Sequence, residues 1–142
     1  MSNFKFDVPA EGLVMLDNQV SKVCEMQEAG ELPDYSLFNR RLMKGMATPN
    51  DELHHAATGI AGEAGEILDI TKKVWVYNKP LDIDHLIEEL GDLRFYIQAT
   101  MMLYGISEQE VLQQNANKLS IRYKSLRYSD DAAIGRADKS AT

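Results

Sequence analysis

The sequence lacks the features that would place it in an oxidising compartment, on nucleic acid or in a membrane. Cys24 is the only cysteine among 142 residues, which excludes an internal disulfide and fits a reducing compartment. Lys and Arg number 15 against 22 Asp and Glu, and this net charge of −7 argues against broad nucleic-acid binding. No stretch is apolar enough to span a bilayer, and the N-terminal residues do not form a secretory signal. We therefore expect a cytoplasmic protein without nucleic-acid or membrane partners.

The sequence does contain a series of helical patterns. Apolar residues recur at helical spacing over residues 11–29, whereas Pro33 and Gly45 predict an irregular stretch over 31–47. Thr48 is a predicted N-cap, and the helix that it opens is expected to run to about Val76.

Two more helices are predicted further along the chain. One spans about residues 82–104, with Asp82 as its predicted N-cap. The other starts at a capping box formed by Ser107 and Glu110 and ends near residues 122–125. The length and the 44% hydrophobic content are enough for one core. The sequence therefore predicts an all-α domain over residues 1–126 and an irregular polar tail over 127–142.

Two acidic motifs are the candidate functional site. Glu63 and Glu66 lie three residues apart in one predicted helix, and Glu89 and Asp92 lie three apart in the next, so each pair shares a helix face. Pro80 separates the two helices by a short break, which makes them antiparallel neighbours. At 1.5 Å per residue, the motifs lie about 16 Å and 11 Å from this break. Four converging carboxylates would suit a hard divalent cation, Mg²⁺ foremost.

The residues around these motifs leave two interpretations open. Gly59, Gly62 and Gly65 are costly in a helix, at roughly 1 kcal/mol each relative to alanine, so their small size indicates either close helix packing or room for a ligand. On the third helix, five side chains share one face: His85, Glu89, Asp92, Leu93 and Tyr96. Glu88 is expected to point elsewhere.

The segments LHHAATGIAGEAGEILDITKKVWVYNKPLD, HLIEELGDLRFYIQ and NANKLSIRY resemble the MazG-like all-α nucleoside triphosphate pyrophosphohydrolases, which are related to the dimeric dUTPases. The resemblance covers about residues 53–136. It implies an antiparallel four-helix bundle that forms homodimers or homotetramers. It also implies Mg²⁺-dependent hydrolysis, with Mn²⁺ as a substitute, of a nucleoside triphosphate to the monophosphate and pyrophosphate. The resemblance further implies a role in controlling the nucleotide pool, with dGTP or another purine deoxynucleotide as one candidate substrate.

The resemblance also implies roles for individual residues. The metal ligands would be Glu63, Glu66, Glu89 and Asp92, and the general base would be Glu63 or Glu66. Four residues of the downstream segment would lie near the substrate: Asn115, Lys118, Arg122 and Tyr123. Lys124 stands where the family commonly has a proline.

Base recognition needs an apolar wall and a few polar groups. Trp75 and Tyr96 are the aromatic candidates for stacking, and His55 is a candidate for a polar contact. Each of these side chains could equally belong to a core.

Two other functions remain as alternatives. The spacings Glu52-x-x-His55 and Asp82-x-x-His85 imitate the ligands of a ferritin-like di-metal bundle. However, Glu52 and Asp82 start antiparallel helices, which places them on the order of 35 Å apart. A helical adaptor without catalytic activity, its acids serving as surface charge, is the second alternative.

Overall fold

The computed structural model describes residues 35–139, and this part of the chain is helical and contains no strand. The helices are α1 (Tyr35–Leu42), α2 (Pro49–Trp75), α3 (Ile83–Leu103), α4 (Glu108–Arg122) and α5 (Asp130–Gly135), followed by a 3-10 turn over Ala137–Lys139. None of these helices is both long and apolar enough to span a bilayer. The helix predicted over residues 11–29 lies outside the described residues.

The three long helices begin at side chains that the sequence identified as caps. Thr48 Oγ1 accepts a hydrogen bond of 3.2 Å from the amide of Asp51, and Asp82 Oδ1 accepts one of 3.1 Å from the amide of His85. Ser107 opens α4 with a complete capping box. Each cap satisfies an amide that would otherwise have no partner in the first turn. The predicted boundaries of α2, α3 and α4 are confirmed to within a few residues.

Helices α2 and α3 form the main packed unit. Glu63 lies beside Asp92, and Gly59, one turn earlier in α2, lies beside Tyr96, one turn later in α3. The two helices are therefore antiparallel. Ala56 and Ile70 of α2 and Ala99 of α3 are buried, and these small or branched side chains let the helices approach closely.

Helix α1 is an element that the sequence prediction missed. Residues 35–42 are helical and pack on α3, whereas an irregular stretch was expected over 31–47, so that expectation is wrong there. Tyr35, Phe38 and Leu42 repeat at helical spacing. Pro33 and Gly45 flank this short helix, and they set its limits instead of excluding it.

The chain after α4 is also more regular than predicted. Ser129 caps α5, and Arg122 of α4 forms an ion pair with Asp138 of the 3-10 turn. Residues 130–139 are therefore ordered against α4, and the expectation of an irregular tail is wrong for them. In the described part of the chain, α4 packs mainly on this C-terminal segment. The antiparallel four-helix bundle and the domain limit at residue 126 remain predictions.

Candidate metal centre and substrate pocket

Three acidic side chains from α2 and α3 meet between the helices. Glu63, Glu89 and Asp92 each offer a carboxylate oxygen, and these oxygens lie within 4.8 Å of one another. Glu89 is buried, Glu63 is half-buried and Asp92 is exposed, so the cluster opens to solvent on one side. The fourth predicted ligand, Glu66, is exposed and lies outside this group.

The electrostatics of the cluster favour a cation. Burial raises the pKa of the Glu63 carboxyl above its usual value, and the negative charge of Asp92 and a hydrogen bond with Glu89 raise that pKa further. Carboxylates that repel one another at this distance lose the repulsion when a cation lies between them. An oxygen-only ligand set suits Mg²⁺ or Mn²⁺ better than it suits softer metals. The residues present therefore fit a divalent cation of this class.

His85 orients one of the three carboxylates. Its Nε2 lies 2.9 Å from Oε1 of Glu89, one helical turn later on α3. A side chain held by a hydrogen bond keeps its ligand atom in place, as the outer partners of metal ligands commonly do. The sequence placed His85 on the same face as Glu89 and Asp92 but assigned it no role. Its i, i+4 spacing from Glu89 was the available signal.

Tyr96 lies one turn beyond Asp92 and packs its ring directly on Gly59 of α2. His55 meets the edge of that ring, with the centroids 6.1 Å apart and the planes at 70°. Nδ1 of His55 is buried and has no hydrogen-bond partner among the described residues. The structure thus brings two of the predicted substrate residues, His55 and Tyr96, together on the acidic side of the hairpin.

Of the three glycines, Gly59 alone has a neighbour that a side chain would strike. A Cβ atom at this position would overlap the Tyr96 ring. At Gly62 and Gly65 a Cβ atom would meet nothing within 4 Å among the described residues. Close packing therefore explains Gly59, whereas no residue between 35 and 139 crowds the other two glycines.

Trp75 lies apart from the acidic cluster in this chain. It ends α2, nine residues after Glu66, which corresponds to about 14 Å along the axis. Its side chain is 88% exposed. This arrangement does not favour stacking of Trp75 on a nucleotide that is bound at the acidic cluster of the same chain.

The predicted substrate residues of α4 face other partners. Nε and Nη2 of Arg122 lie 2.7 Å and 2.9 Å from the two carboxylate oxygens of Asp138, and Tyr123 packs near Tyr128 with ring centroids 6.0 Å apart. Asn115 and Lys118 are exposed. In the described part of the chain, none of these four predicted residues has a hydrogen bond or ion pair with the acidic cluster.

A cavity of about 190 Å³ lies where α1 crosses the hairpin. Its lining includes Asn39 of α1, Ala56 of α2 and Ala99 of α3. Asn39 is fully buried, and its Nδ2 donates a hydrogen bond of 2.7 Å to the carbonyl of Phe95, while Oδ1 has no partner among the described residues. Sequence patterns did not predict α1, so they did not reveal this cavity.

The residues that imitated a ferritin-like site have other roles. Glu52 accepts a hydrogen bond from the amide of Met46, and Asp82 caps α3. His85 pairs with Glu89, so its partner is not Asp82. Within the described residues, neither Glu52 nor Asp82 belongs to a group of acidic and histidine side chains close enough to share a metal ion.

Comparison with known proteins gives one match. No curated protein and no solved structure matches the chain. Residues 52–126, just over half of the 142, match a family described as the MazG nucleotide pyrophosphohydrolase domain. This match spans α2, α3 and α4 and includes every residue of the acidic cluster. The chain therefore belongs to the MazG nucleotide pyrophosphohydrolase family.

Proposed function

We propose that the protein is a Mg²⁺-dependent hydrolase that cleaves a nucleoside triphosphate between its α- and β-phosphates. The products would be the nucleoside monophosphate and pyrophosphate. The observation that carries this proposal is the meeting of Glu63, Glu89 and Asp92 from two antiparallel helices, within a domain of the MazG family. Such carboxylates suit a metal that also binds phosphate oxygens.

Glu63, Glu89 and Asp92 would hold the metal, and His85 would keep Glu89 in position through its 2.9 Å contact. A bound Mg²⁺ ion neutralises phosphate charge and lowers the pKa of a coordinated water. Mn²⁺ would supply the same chemistry. The open side of the cluster, next to Asp92, gives the phosphates access.

Glu66 is the better placed of the two candidate bases. It lies one turn from Glu63 on the same face of α2, but it is exposed and stands outside the group of three carboxylates. It can therefore take a proton from the attacking water. The water oxygen forms a bond to phosphorus, the anhydride bond between the α- and β-phosphates breaks, and pyrophosphate leaves with the electron pair of that bond.

Three residues of α4 and the residue that follows it would contribute to phosphate or substrate binding: Asn115, Lys118, Arg122 and Tyr123. Their family pattern supports this role, whereas Arg122 is engaged with Asp138 in the present structure. A guanidinium has five N–H donors. Arg122 can therefore contact a phosphate while part of its pairing with Asp138 persists.

We also propose that the chain acts as a homodimer or homotetramer. Large apolar side chains lie exposed on successive helices, among them Leu68 of α2 at 68%, Ile87 of α3 at 62% and Leu112 of α4 at 61%. Exposed apolar side chains that lie together on a surface commonly mark a protein interface. A second copy would cover it, and light scattering coupled to gel filtration would measure the assembly.

The proposed role is control of the nucleotide pool or removal of unwanted nucleotides, and a purine such as dGTP is one candidate substrate. The test is an assay with Mg²⁺ over ribonucleotides, deoxynucleotides and modified nucleotides, in which monophosphate and pyrophosphate are measured separately. Equal amounts of the two products from at least one substrate would support the proposal. Absence of pyrophosphate from every substrate would refute it, and stepwise release of phosphate would identify a different bond.

A further inference from the structure

We propose that the cavity between α1 and the hairpin is the base subsite of the enzyme, that it takes a pyrimidine, and that Oδ1 of Asn39 accepts a hydrogen bond from an N–H group of that base. This inference rests on the proposed function, because it assigns the substrate of that same site, and it replaces the purine candidate named there with a pyrimidine. Asn39 lies outside the residues that match the family. The family match therefore assigns no role to this residue.

The orientation of the Asn39 amide is fixed by its surroundings. Nδ2 donates to the carbonyl of Phe95 at 2.7 Å, and a carbonyl can only accept. If the amide were turned over, two oxygens would face each other, so Oδ1 must be the atom that is left without a partner. A buried polar atom without a hydrogen bond carries an uncompensated desolvation cost. An N–H donor supplied by a ligand would remove this cost.

The cavity has room for one ring. Its volume is about 190 Å³, and an apolar cavity of about 150 Å³ in another protein is known to hold benzene. A drug-sized ligand needs roughly 300–1,000 Å³. Ala56, Ala99, Met102 and Leu103 give the cavity an apolar wall, and Arg40, Lys44 and Glu52 add charged groups to its lining. A single six-membered ring fills this space more closely than the two fused rings of a purine would.

The cavity and the acidic cluster lie on one stripe of the hairpin. Ala56 precedes Glu63 by seven residues on α2, and Ala99 follows Asp92 by seven residues on α3. Seven residues are nearly two helical turns, so each pair shares a face at a separation of about 10 Å. Tyr96 lies between the two sites. The sugar of a nucleotide links phosphate and base over a comparable distance.

A ligand reaches Oδ1 only if a neighbouring side chain moves, because this atom has less than 1 Å² of exposed surface. Met43 and Met102 both line the cavity. Methionine side chains are flexible and repack easily around a ligand. Binding of the base would therefore move one of these thioethers and leave the backbone of the cavity unchanged.

The chemistry at Asn39 predicts which bases are accepted. Cytosine offers its exocyclic amino group, and uracil and thymine offer the N–H at ring position 3. The base 2-pyrimidinone has the same ring but carries no N–H, so it would leave Oδ1 unpaired. A buried hydrogen bond that is lost in this way lowers binding by about tenfold.

The experiment compares dCTP, dTTP, dGTP and 2-pyrimidinone deoxyribonucleoside triphosphate in steady-state turnover with Mg²⁺. We expect kcat/KM for dCTP and for dTTP to be higher than kcat/KM for dGTP. We expect kcat/KM for the 2-pyrimidinone nucleotide to be about tenfold lower than kcat/KM for dCTP. In Asn39→Leu, the KM for dCTP should rise about tenfold, and the difference between dCTP and the 2-pyrimidinone nucleotide should disappear. Asn117→Leu, an exposed change on α4, is the matched control and should behave as wild type.

A second variant guards against a folding defect in Asn39→Leu. Leu103→Phe, a change at a half-buried residue of the cavity wall, leaves Asn39 and its bond to Phe95 in place but adds atoms to the cavity, so it should also raise the KM for dCTP while Mg²⁺ binding by calorimetry is unchanged. Preference for dGTP, or the same KM in Asn39→Leu as in wild type, would overturn the base assignment while leaving the proposed hydrolysis intact.

If no nucleotide is hydrolysed, binding of dCMP tests whether the cavity is a base subsite. A thermal shift with dCMP that is present in wild type and lost in Asn39→Leu would support the subsite even though the proposed reaction had failed. Equal shifts in the two proteins would refute the subsite.

Discussion

Arg122 and Asp138 form a two-point ion pair that closes the C-terminal segment onto α4. Nε and Nη2 of the guanidinium lie 2.7 Å and 2.9 Å from the two carboxylate oxygens, and only 2% of the Asp138 side chain is exposed. Parallel hydrogen bonds between ions are stronger than single neutral ones and fix the geometry of both groups. The two partners lie sixteen positions apart in the sequence. Their contact therefore determines the position of α5 and of the 3-10 turn.

Replacement of Asp138 should release this segment. In Asp138→Asn the side chain keeps its size but loses its charge, so the pairing with Arg122 weakens and residues 129–139 should exchange amide hydrogens faster. Hydrogen exchange followed by mass spectrometry would measure this, with unchanged protection in α2 and α3. Asp131→Asn, an exposed change in the same segment, is the control. Unaltered exchange in Asp138→Asn would show that apolar contacts hold the segment.

The same pair predicts a pH dependence. Hydrogen bonding to Arg122 lowers the pKa of the Asp138 carboxyl to about 2 from its ordinary value of 3.8. The pair therefore contributes its full stability above the unfolded pKa, and this contribution is lost as the pH falls from about 4 through about 2. We expect protection of the C-terminal segment to fall over this range in wild type. In Asp138→Asn, protection of the segment should not depend on this titration.

Glu89 and Glu88 offer a matched test of the metal centre. Glu89 is buried in the acidic cluster, whereas its neighbour Glu88 is exposed on another face of α3. Glu89→Gln should weaken Mg²⁺ binding by more than the roughly 10–100-fold that is typical when an outer partner of a ligand is lost. Calorimetric titration with Mg²⁺ would measure the loss, and circular dichroism should show the same helix content. Glu88→Gln should bind Mg²⁺ as wild type does, and equal losses in both variants would contradict the assigned site.

Alanine substitutions at two glycines of α2 should change the free energy of unfolding in opposite directions. At Gly59 the added methyl group would overlap the Tyr96 ring, so Gly59→Ala should lower the free energy of unfolding by about 1–3 kcal/mol. At Gly62 nothing described lies within 4 Å, so Gly62→Ala should raise it by up to about 1 kcal/mol through helix propensity. Urea unfolding of both variants would measure the difference. A stabilised Gly59→Ala protein would show that the ring moves aside without cost.

Local patterns in the sequence predicted the hairpin and much of its acidic site. Thr48, Asp82 and Ser107 are caps whose effect depends only on the next few residues, so their helices start where expected. The spacing of Glu63, Glu89 and Asp92, with a short break between the helices, was enough to bring the three carboxylates together.

The features that were missed depend on contacts between distant residues. Helix α1 is short and gains its stability from packing on α3, and Asn39 became visible as a candidate only through its bond to Phe95, 56 residues away. In the same way, the order of the C-terminal segment comes from Arg122 and Asp138, which no local pattern links. Short helices have little stability of their own, so propensity alone does not reveal them.

The exposed indole at the end of α2 gives the protein an intrinsic fluorescent reporter. Trp75 is the only tryptophan in the sequence, and it is 88% exposed in the single chain. Its emission in a dilute monomer should therefore be that of a hydrated indole, which iodide quenches readily. Assembly through the surface around α2 would shift the emission to shorter wavelength and protect it from iodide as the protein concentration rises. A label-free titration of one protein sample would thus follow subunit association directly.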